Sequence, residues 1–401
     1  MPESGKEVLL LTQVLPYPPD SGPRVKTYNV LKYLARRHQV TLLSYRRESA
    51  PEAALRHLEG LCKAVYTVPM KRSYVTEVGY LARSLLTNQP WVMARDDHAA
   101  MRAAVDRLAR QTRFDVVHAD QLNMAQFALR VNGGAHRVLD LHNALWKLYC
   151  RLAETLRFGP RKLLAERDWR LLQRYEGEMC RRFDSVLAVS EVDRRALIEV
   201  GARDDVMVIP IAIDTDEVTV IERTPARPTI MHIGTMDWPA NVDGILWFLH
   251  DIYPRVKAQV PDVRCVLIGA RPPHEIVHWG QTDPSVEVTG YVEDPSRYLR
   301  ESTLMVAPLR SGGGMRVKIL NALAQGIPLV TTTIGGEGIA IRHEEQALIA
   351  DEPEAFADAV VRLLTDPALA GRLAANGRLL AEMCYDYRLA FRPLDAIYGV
   401  A

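Results

Sequence analysis

Short apolar runs alternate with amphipathic stretches along the whole of this chain. Residues 8–11, 40–45, 65–68, 116–118, 138–141, 186–190 and 206–211 are brief runs rich in Val, Leu and Ile. Each is too short for a helix, and together they predict strands buried on both faces. Between them, residues 27–37 and 97–110 carry apolar positions at helical spacing. Residues 145–182 form a longer, charged helical stretch broken near Gly159-Pro160. A second alternating series offers 229–233, 263–268, 286–289, 304–308 and 329–332 as strands. Strands alternating with helices predict an α/β chain with parallel sheets and right-handed crossovers.

Residues 213–228 separate the two series, hold Pro225 and Pro228, and show no helical stripe. A chain of 401 residues exceeds the usual size of one core, so two domains are expected. The expected division is an N-terminal Rossmann-like domain over 1–212, a linker over 213–228, and a C-terminal Rossmann-like domain over 229–378. Two doubly wound parallel-sheet domains facing across a cleft would take their ligand at the carboxyl ends of the strands.

Composition narrows the class. No run approaches the eighteen apolar residues of a membrane span, and the 8–11 run is too short for a signal peptide. Five cysteines, at 62, 150, 180, 265 and 384, include no C-x-x-C, so a reducing cytoplasm is the simplest setting. Residues 1–213 hold 33 Lys+Arg against 24 Asp+Glu, a balance of +9, while 214–401 hold 17 against 25, a balance of −8. A basic N-terminal half suits an anionic acceptor, such as a phospholipid-type carrier, or peripheral contact with an anionic inner-membrane face. Ordinary surface charge accounts for it equally well. No basic stripe interleaved with aromatics is present, so no nucleic-acid partner is expected.

The chemistry concentrates between Leu304 and Thr332. An apolar run is followed by Pro308, then Gly312-Gly313-Gly314-Met315-Arg316, Lys318 and Asn321, and finally Gly326 and Pro328. Glycines let backbone N–H groups approach a ligand, and a helix N-terminus adds about half a positive charge aimed the same way. With two cations beside it, this is a receptor for a phosphate or a diphosphate. The spacing is not that of a P-loop, and the missing G-x-G-x-x-G argues against an NAD enzyme. Lys318 would stabilise charge on a leaving diphosphate. Arg316 would point from another face of a helix beginning near Met315. After the first strand of the second series, Gly234 suits close backbone approach to a phosphate. Asn241 would cap a helix or touch ligand, and Trp238 would pack.

These segments resemble, in order, the retaining "group 1" glycosyltransferases of the GT-B fold. Asn321-Ala-Leu-Ala-Gln-Gly-Ile-Pro-Leu-Val is similar to the Glu-Ala-Met-Ala-x-Gly-x-Pro-Val-Val pattern that ends that family's Glu-x7-Glu motif. Leu15-Pro-Tyr-Pro-Pro-Asp-Ser-Gly-Pro-Arg24, Asp140-Leu-His-Asn143, Val189-Ser190 and Ile233-Gly-Thr-Met-Asp-Trp-Pro-Ala-Asn241 also fit. Both motif glutamates are replaced, the first by Gly313 and the second by Asn321.

The resemblance implies a hexose-type transferase that retains anomeric configuration and uses a UDP- or GDP-sugar. It implies no tightly bound cofactor and no metal, and an acceptor that is a glycan, lipid-linked or a small molecule. It puts Lys318 on the diphosphate, Gly312, Gly313, Gly314 and Met315 around it, and Asn321 on the ribose. His142 would lie near the donor sugar and its reacting carbon, and the Gly22 loop would bring backbone to the sugar or phosphate. Tyr291, Val292 and Glu293 would meet the base through main-chain contacts. The last stretch, 379–401, would cross back onto the first domain, and the setting would be envelope or exopolysaccharide synthesis. Loss of both glutamates keeps a non-catalytic sugar-nucleotide-binding protein as the alternative.

Two other motifs are set aside. Asp214-Thr-Asp216 is a D-x-D, but it lies in the expected linker. His274-Glu-Ile-Val-His278 matches H-E-x-x-H, whose histidines share a helix face. Pro272-Pro273 and Gly280 would confine that helix to two turns inside a βα series, so no zinc is assigned.

Overall fold

The computed structural model describes residues 5–47, 50–70 and 74–399. The chain divides into two compact units, Met1–Ala212 with Tyr387–Ala401, and Ile213–Asp386. In the first, β1 (Glu7–Thr12), β2 (Gln39–Arg46), β3 (Ala64–Pro69), β4 (Val116–Asp120), β5 (His136–Leu141), β6 (Ser185–Ala188) and β7 (Met207–Val208) are ordered β3-β2-β1-β4-β5-β6-β7. Every pairing is parallel. Leu9 and Leu11 enter one core with Leu43 and Val117, while Val8 and Leu10 enter another with Leu42 and Val116. Successive side chains alternate across a strand, so a sheet covered on both faces needs unbroken apolar runs. The run expected at 206–211 gives only two strand residues, because Pro210 has no N–H for the ladder.

In the second unit, β8 (Thr229–Ile233), β9 (Arg264–Ile268), β10 (Val286–Gly290), β11 (Leu304–Ala307), β12 (Leu329–Thr331) and β13 (Leu348–Ile349) are ordered β10-β9-β8-β11-β12-β13, again parallel. The sequence did not announce β13, since two residues carry no periodicity. In both sheets the order reverses beside the first strand, between β1 and β4 and between β8 and β11. That switch point leaves a crevice at the strands' carboxyl ends.

Residues 213–228 form no helix, but they are bonded onto the second unit rather than hanging between domains. Ile221 N donates to Gln325 O at 3.0 Å and Thr224 N to Arg300 O at 2.9 Å. Arg378 donates to Val218 O at 2.6 Å and Thr215 O at 3.0 Å. The expected crossover at 379 is corrected to 387, since residues up to Cys384 complete the helix Pro367–Cys384 of the second unit. Beyond it, Tyr387, Phe391, Leu394 and Tyr398 are buried in the first unit's core beside Val8, Leu10, Tyr28 and Leu31. Asp395 accepts from Tyr33 Oη at 2.8 Å and from Arg37 at 3.0 Å.

The terminal segment is therefore a structural part of the first unit. Phe391→Ala leaves a cavity beneath β1 and costs about 3–5 kcal/mol, which denaturant unfolding followed by circular dichroism will register as a loss of first-unit stability. Stability unchanged by that substitution would contradict the packing described.

Candidate functional site

In the second unit the crevice beside β8 and β11 is built around Lys318. The loop after β11 turns through Gly312 (φ 115°) and Gly314 (φ 71°), left-handed conformations that favour glycine. Arg316 follows in extended conformation as the N-cap residue, so the helix begins at Val317 (Val317–Ala324) and not near Met315. Lys318 Nζ donates to Asn241 Oδ1 at 3.0 Å and lies 3.5 Å from His232 Nε2. His232 Nδ1 is 3.0 Å from Val306 O. A carbonyl can only accept, so Nδ1 carries the proton and Nε2 turns its lone pair to the lysine. Burial first, and the neighbouring Lys318 second, keep His232 neutral by pushing its pKa far down. Burial, then Arg316, lower Lys318 to about 7.

Gly234 explains how the lysine fits. A Cβ there would lie 2.5 Å from Lys318 Nζ, so a side chain at this position would push the ammonium from its present place. The expected role of Gly234 is corrected accordingly: its N–H donates to Ile268 O at 2.9 Å and is not free for a phosphate. Asn241 sits inside the helix Pro239–Trp247 and does not cap it. Its Nδ2 donates to Thr235 O at 2.7 Å, which aims Oδ1 at Lys318. Trp238, expected to pack, is 43% exposed.

Arg316 bends back so that its guanidinium donates to the carbonyls of Gly313 and Gly314, stiffening the loop from within. Met315 is buried. Asn321 is half-buried, three residues beyond Lys318 on the same helix. Tyr291, Val292 and Glu293 follow β10, the edge strand of the sheet, and Tyr291 is 75% exposed. The structure thus joins Lys318, Arg316, Asn241, Gly234 and the three glycines, and leaves Tyr291 to Glu293 in a separate loop.

The first unit carries a second polar cluster, also at its switch point. Gly22 opens the helix Gly22–Ala35 directly, so Gly22 to Arg24 form its first turn and not a loop. From that helix Lys26 reaches Asp140 in a fully buried ion pair, and Thr27 Oγ1 donates to Asp120 at 3.0 Å. His142, just past β5, places Nε2 3.0 Å from Asp120 Oδ1. His118 adds contacts to Asp140 (3.5 Å) and Tyr398 Oη (2.7 Å). Burial alone would raise the Asp140 pKa, but Lys26, with His118 and His142, outweighs it and holds the carboxylate ionised.

Sequence reading found His142 but missed Lys26, His118, Asp120, Asp140 and His232. The available signal was polar residues inside apolar strands: His118 and Asp120 in 116–120, Asp140 in 136–141, and His232 in Thr229–Ile233. Among the described residues, Asp120, Asp140 and His142 are the group whose ligand atoms, all within 4.8 Å, could hold a metal ion. The Lys26 ammonium already sits on Asp140, and like charge there opposes a second cation. The two set-aside motifs lie outside that group. Asp214 Oδ1 accepts from Asp216 N at 3.1 Å, a local turn. The His274–Thr282 helix continues past Gly280, which packs against Val288 of β10 and so does not end it.

Comparison with known proteins agrees across both units. The family described as "Glycosyl transferases group 1" matches residues 227–366, and "Glycosyltransferase Family 4" matches residues 21–217. An uncharacterized 44.6 kDa protein in the cps region of Klebsiella pneumoniae is 21% identical, covering 96% of this chain and 98% of that one. The capsular polysaccharide biosynthesis glycosyltransferase CapM of Staphylococcus aureus is 25% identical over 29% of this chain and 31% of its own. Anabaena HepE in complex with UDP-glucose superposes with TM-score 0.67 at 16% identity, covering 99% of this chain and 100% of that one.

The buried pair in the first unit makes a sharp stability test. Lys26→Met leaves Asp140 charged and buried without its cation, at a cost of about 3–5 kcal/mol, while Lys26→Met with Asp140→Asn recovers part of that loss. Thermal melts of the three proteins will show the order wild type, double variant, single variant. A single variant as stable as wild type would refute the pairing.

Proposed function

The chain belongs to the group 1 glycosyltransferases and has their GT-B fold of two parallel-sheet α/β domains, and from that membership we propose the following reaction. The protein transfers a hexose-type sugar from a nucleoside diphosphate donor, a UDP-sugar first, to an acceptor hydroxyl with retention of anomeric configuration. The UDP and UDP-glucose complexes of the structurally similar HepE support the donor. The cps-region and capsular relatives support a place in cell-surface polysaccharide synthesis.

The observation that carries this reading is Lys318, a half-buried lysine whose amine is held between neutral acceptors at the switch point of the second sheet. An arriving diphosphate supplies the negative charge that this site lacks. Contacts to phosphate oxygens would strengthen as the glycosidic bond breaks and charge gathers on the leaving nucleoside diphosphate. The loop of Gly312, Gly313 and Gly314, stiffened by Arg316, borders the same crevice and offers backbone to the phosphates.

Retention without an enzyme nucleophile means departure and attack on the same face of the sugar. Lys318 and the loop then contribute by holding the diphosphate and stabilising its charge. His142 is assigned to the donor sugar. Its Nε2 lies 3.0 Å from Asp120 Oδ1, and both ring nitrogens are without a hydrogen-bond partner of good geometry, which leaves them for a sugar hydroxyl. Asn321, in place of a carboxylate, can both donate to and accept from ribose hydroxyls.

The test combines binding with turnover. Thermal shifts with UDP, GDP, ADP and dTDP should show stabilisation by one of them, UDP foremost. Lys318→Ala should lower kcat for the matching donor about 100-fold or more, the scale of losing one preorganised electrostatic donor. No shift with any nucleotide, or full turnover in the variant, would overturn the assignment. Binding without transfer or donor hydrolysis would instead identify a degenerate transferase.

A further inference from the structure

One face of the first unit is apolar and uncovered. Of the 14 large hydrophobic side chains exposed among the described residues, seven lie on the helix Tyr74–Thr87 or within residues 156–164. Such concentration departs from the single scattered residues that soluble surfaces normally show. Leu86 is 87% exposed and Phe158 is 89% exposed. Phe158 stands in the turn between the helices Leu145–Thr155 and Pro160–Arg182. Between that hairpin and the Tyr74–Thr87 helix runs a groove of about 400 Å³ whose apolar lining is Val78, Leu81, Trp91, Tyr149 and Leu164.

The groove wall carries Glu77, Arg167 and Asp168, while the hairpin turn beside it is wholly cationic. Residues 156–164 read Leu-Arg-Phe-Gly-Pro-Arg-Lys-Leu-Leu, with three cations and no carboxylate. Across residues 145–182 there are ten Lys+Arg against five Asp+Glu, and one of those five, Glu176, is buried. Its carboxylate accepts from Leu145 N and Trp146 N.

We propose that this face docks the protein on an anionic lipid bilayer, with Phe158 and Leu86 at the acyl boundary and Arg157, Arg161 and Lys162 on lipid phosphates. Apolar tips flanked by cations are the composition that an anionic interface binds. Trp91 and Tyr149 add the amphipathic rings that favour that depth. A second copy of the chain fits less well. A two-fold contact through this patch would set Arg157, Arg161 and Lys162 against their own kind. No helix among the described residues is long and apolar enough to cross a membrane, so the contact is peripheral. None of the residues named for this surface is assigned to the donor, and its test is independent of the nucleotide reading.

The experiment is co-sedimentation of the full chain with vesicles of phosphatidylcholine alone and of phosphatidylcholine mixed with phosphatidylglycerol. Wild type should partition onto the mixed vesicles and not the neutral ones, and added salt should release it. Each of Arg157→Ala, Arg161→Ala and Lys162→Ala should weaken partition about fivefold, the equivalent of one cation at an anionic surface. Phe158→Ser combined with Leu86→Ser should abolish it while leaving the melting temperature in place, because both side chains are exposed. Absence of wild-type partition, or partition that survives these substitutions, would overturn the proposal. So would concentration-dependent dimerisation in sedimentation velocity that the Phe158→Ser variant removes without any vesicle binding.

Discussion

A half-buried lysine whose amine faces neutral acceptors is the constraint from which the second unit's crevice follows. Lys318 has Asn241 Oδ1 and a lone pair of His232 as its acceptors, and both burial and Arg316 act against its charge. Glycine at 234 leaves room for it, Asn241 is aimed by Thr235, and His232 is locked by Val306. Each neighbour makes sense only if the ammonium must stand in one place. A cation held this way gains most from an anion that brings its own charge.

The first unit shows the opposite solution. Lys26 is fully buried where Lys318 is half-buried, and Asp140 compensates it. Its charge is consumed within the fold, where it joins the Gly22–Ala35 helix to β5 beside His142. One lysine is compensated within the fold, and the other faces only neutral acceptors.

The strand series was legible because sheets covered on both faces demand continuous apolar runs, and that of β1, Val8 to Leu11, is unbroken. The break at Gly159-Pro160 was legible for the same kind of reason, since it separates two real helices. Where the pattern failed, a local cause is visible. β13 is two residues long, Pro210 shortens β7, and Gly280 serves packing rather than termination. The glycine loop and Lys318 could be read from composition and spacing. The buried partners could not: Lys26 meets Asp140 across 114 positions and His232 meets Lys318 across 86. No local pattern encodes pairings at that separation. Gly234 leaves room for the Lys318 side chain, and a glycine spared for a side chain looks identical in sequence to one spared for a phosphate.

The central claim is that Lys318 takes its full charge when a diphosphate arrives, and proton uptake measures that directly. Isothermal titration of UDP at about pH 8, repeated in buffers of different ionisation enthalpy, counts the protons exchanged. With Lys318 near 7 in the free protein and raised by a bound diphosphate, the account predicts uptake approaching one proton per nucleotide. In Lys318→Met that uptake should vanish. Binding by the wild type with no proton taken up, or with the same uptake in the variant, would contradict it.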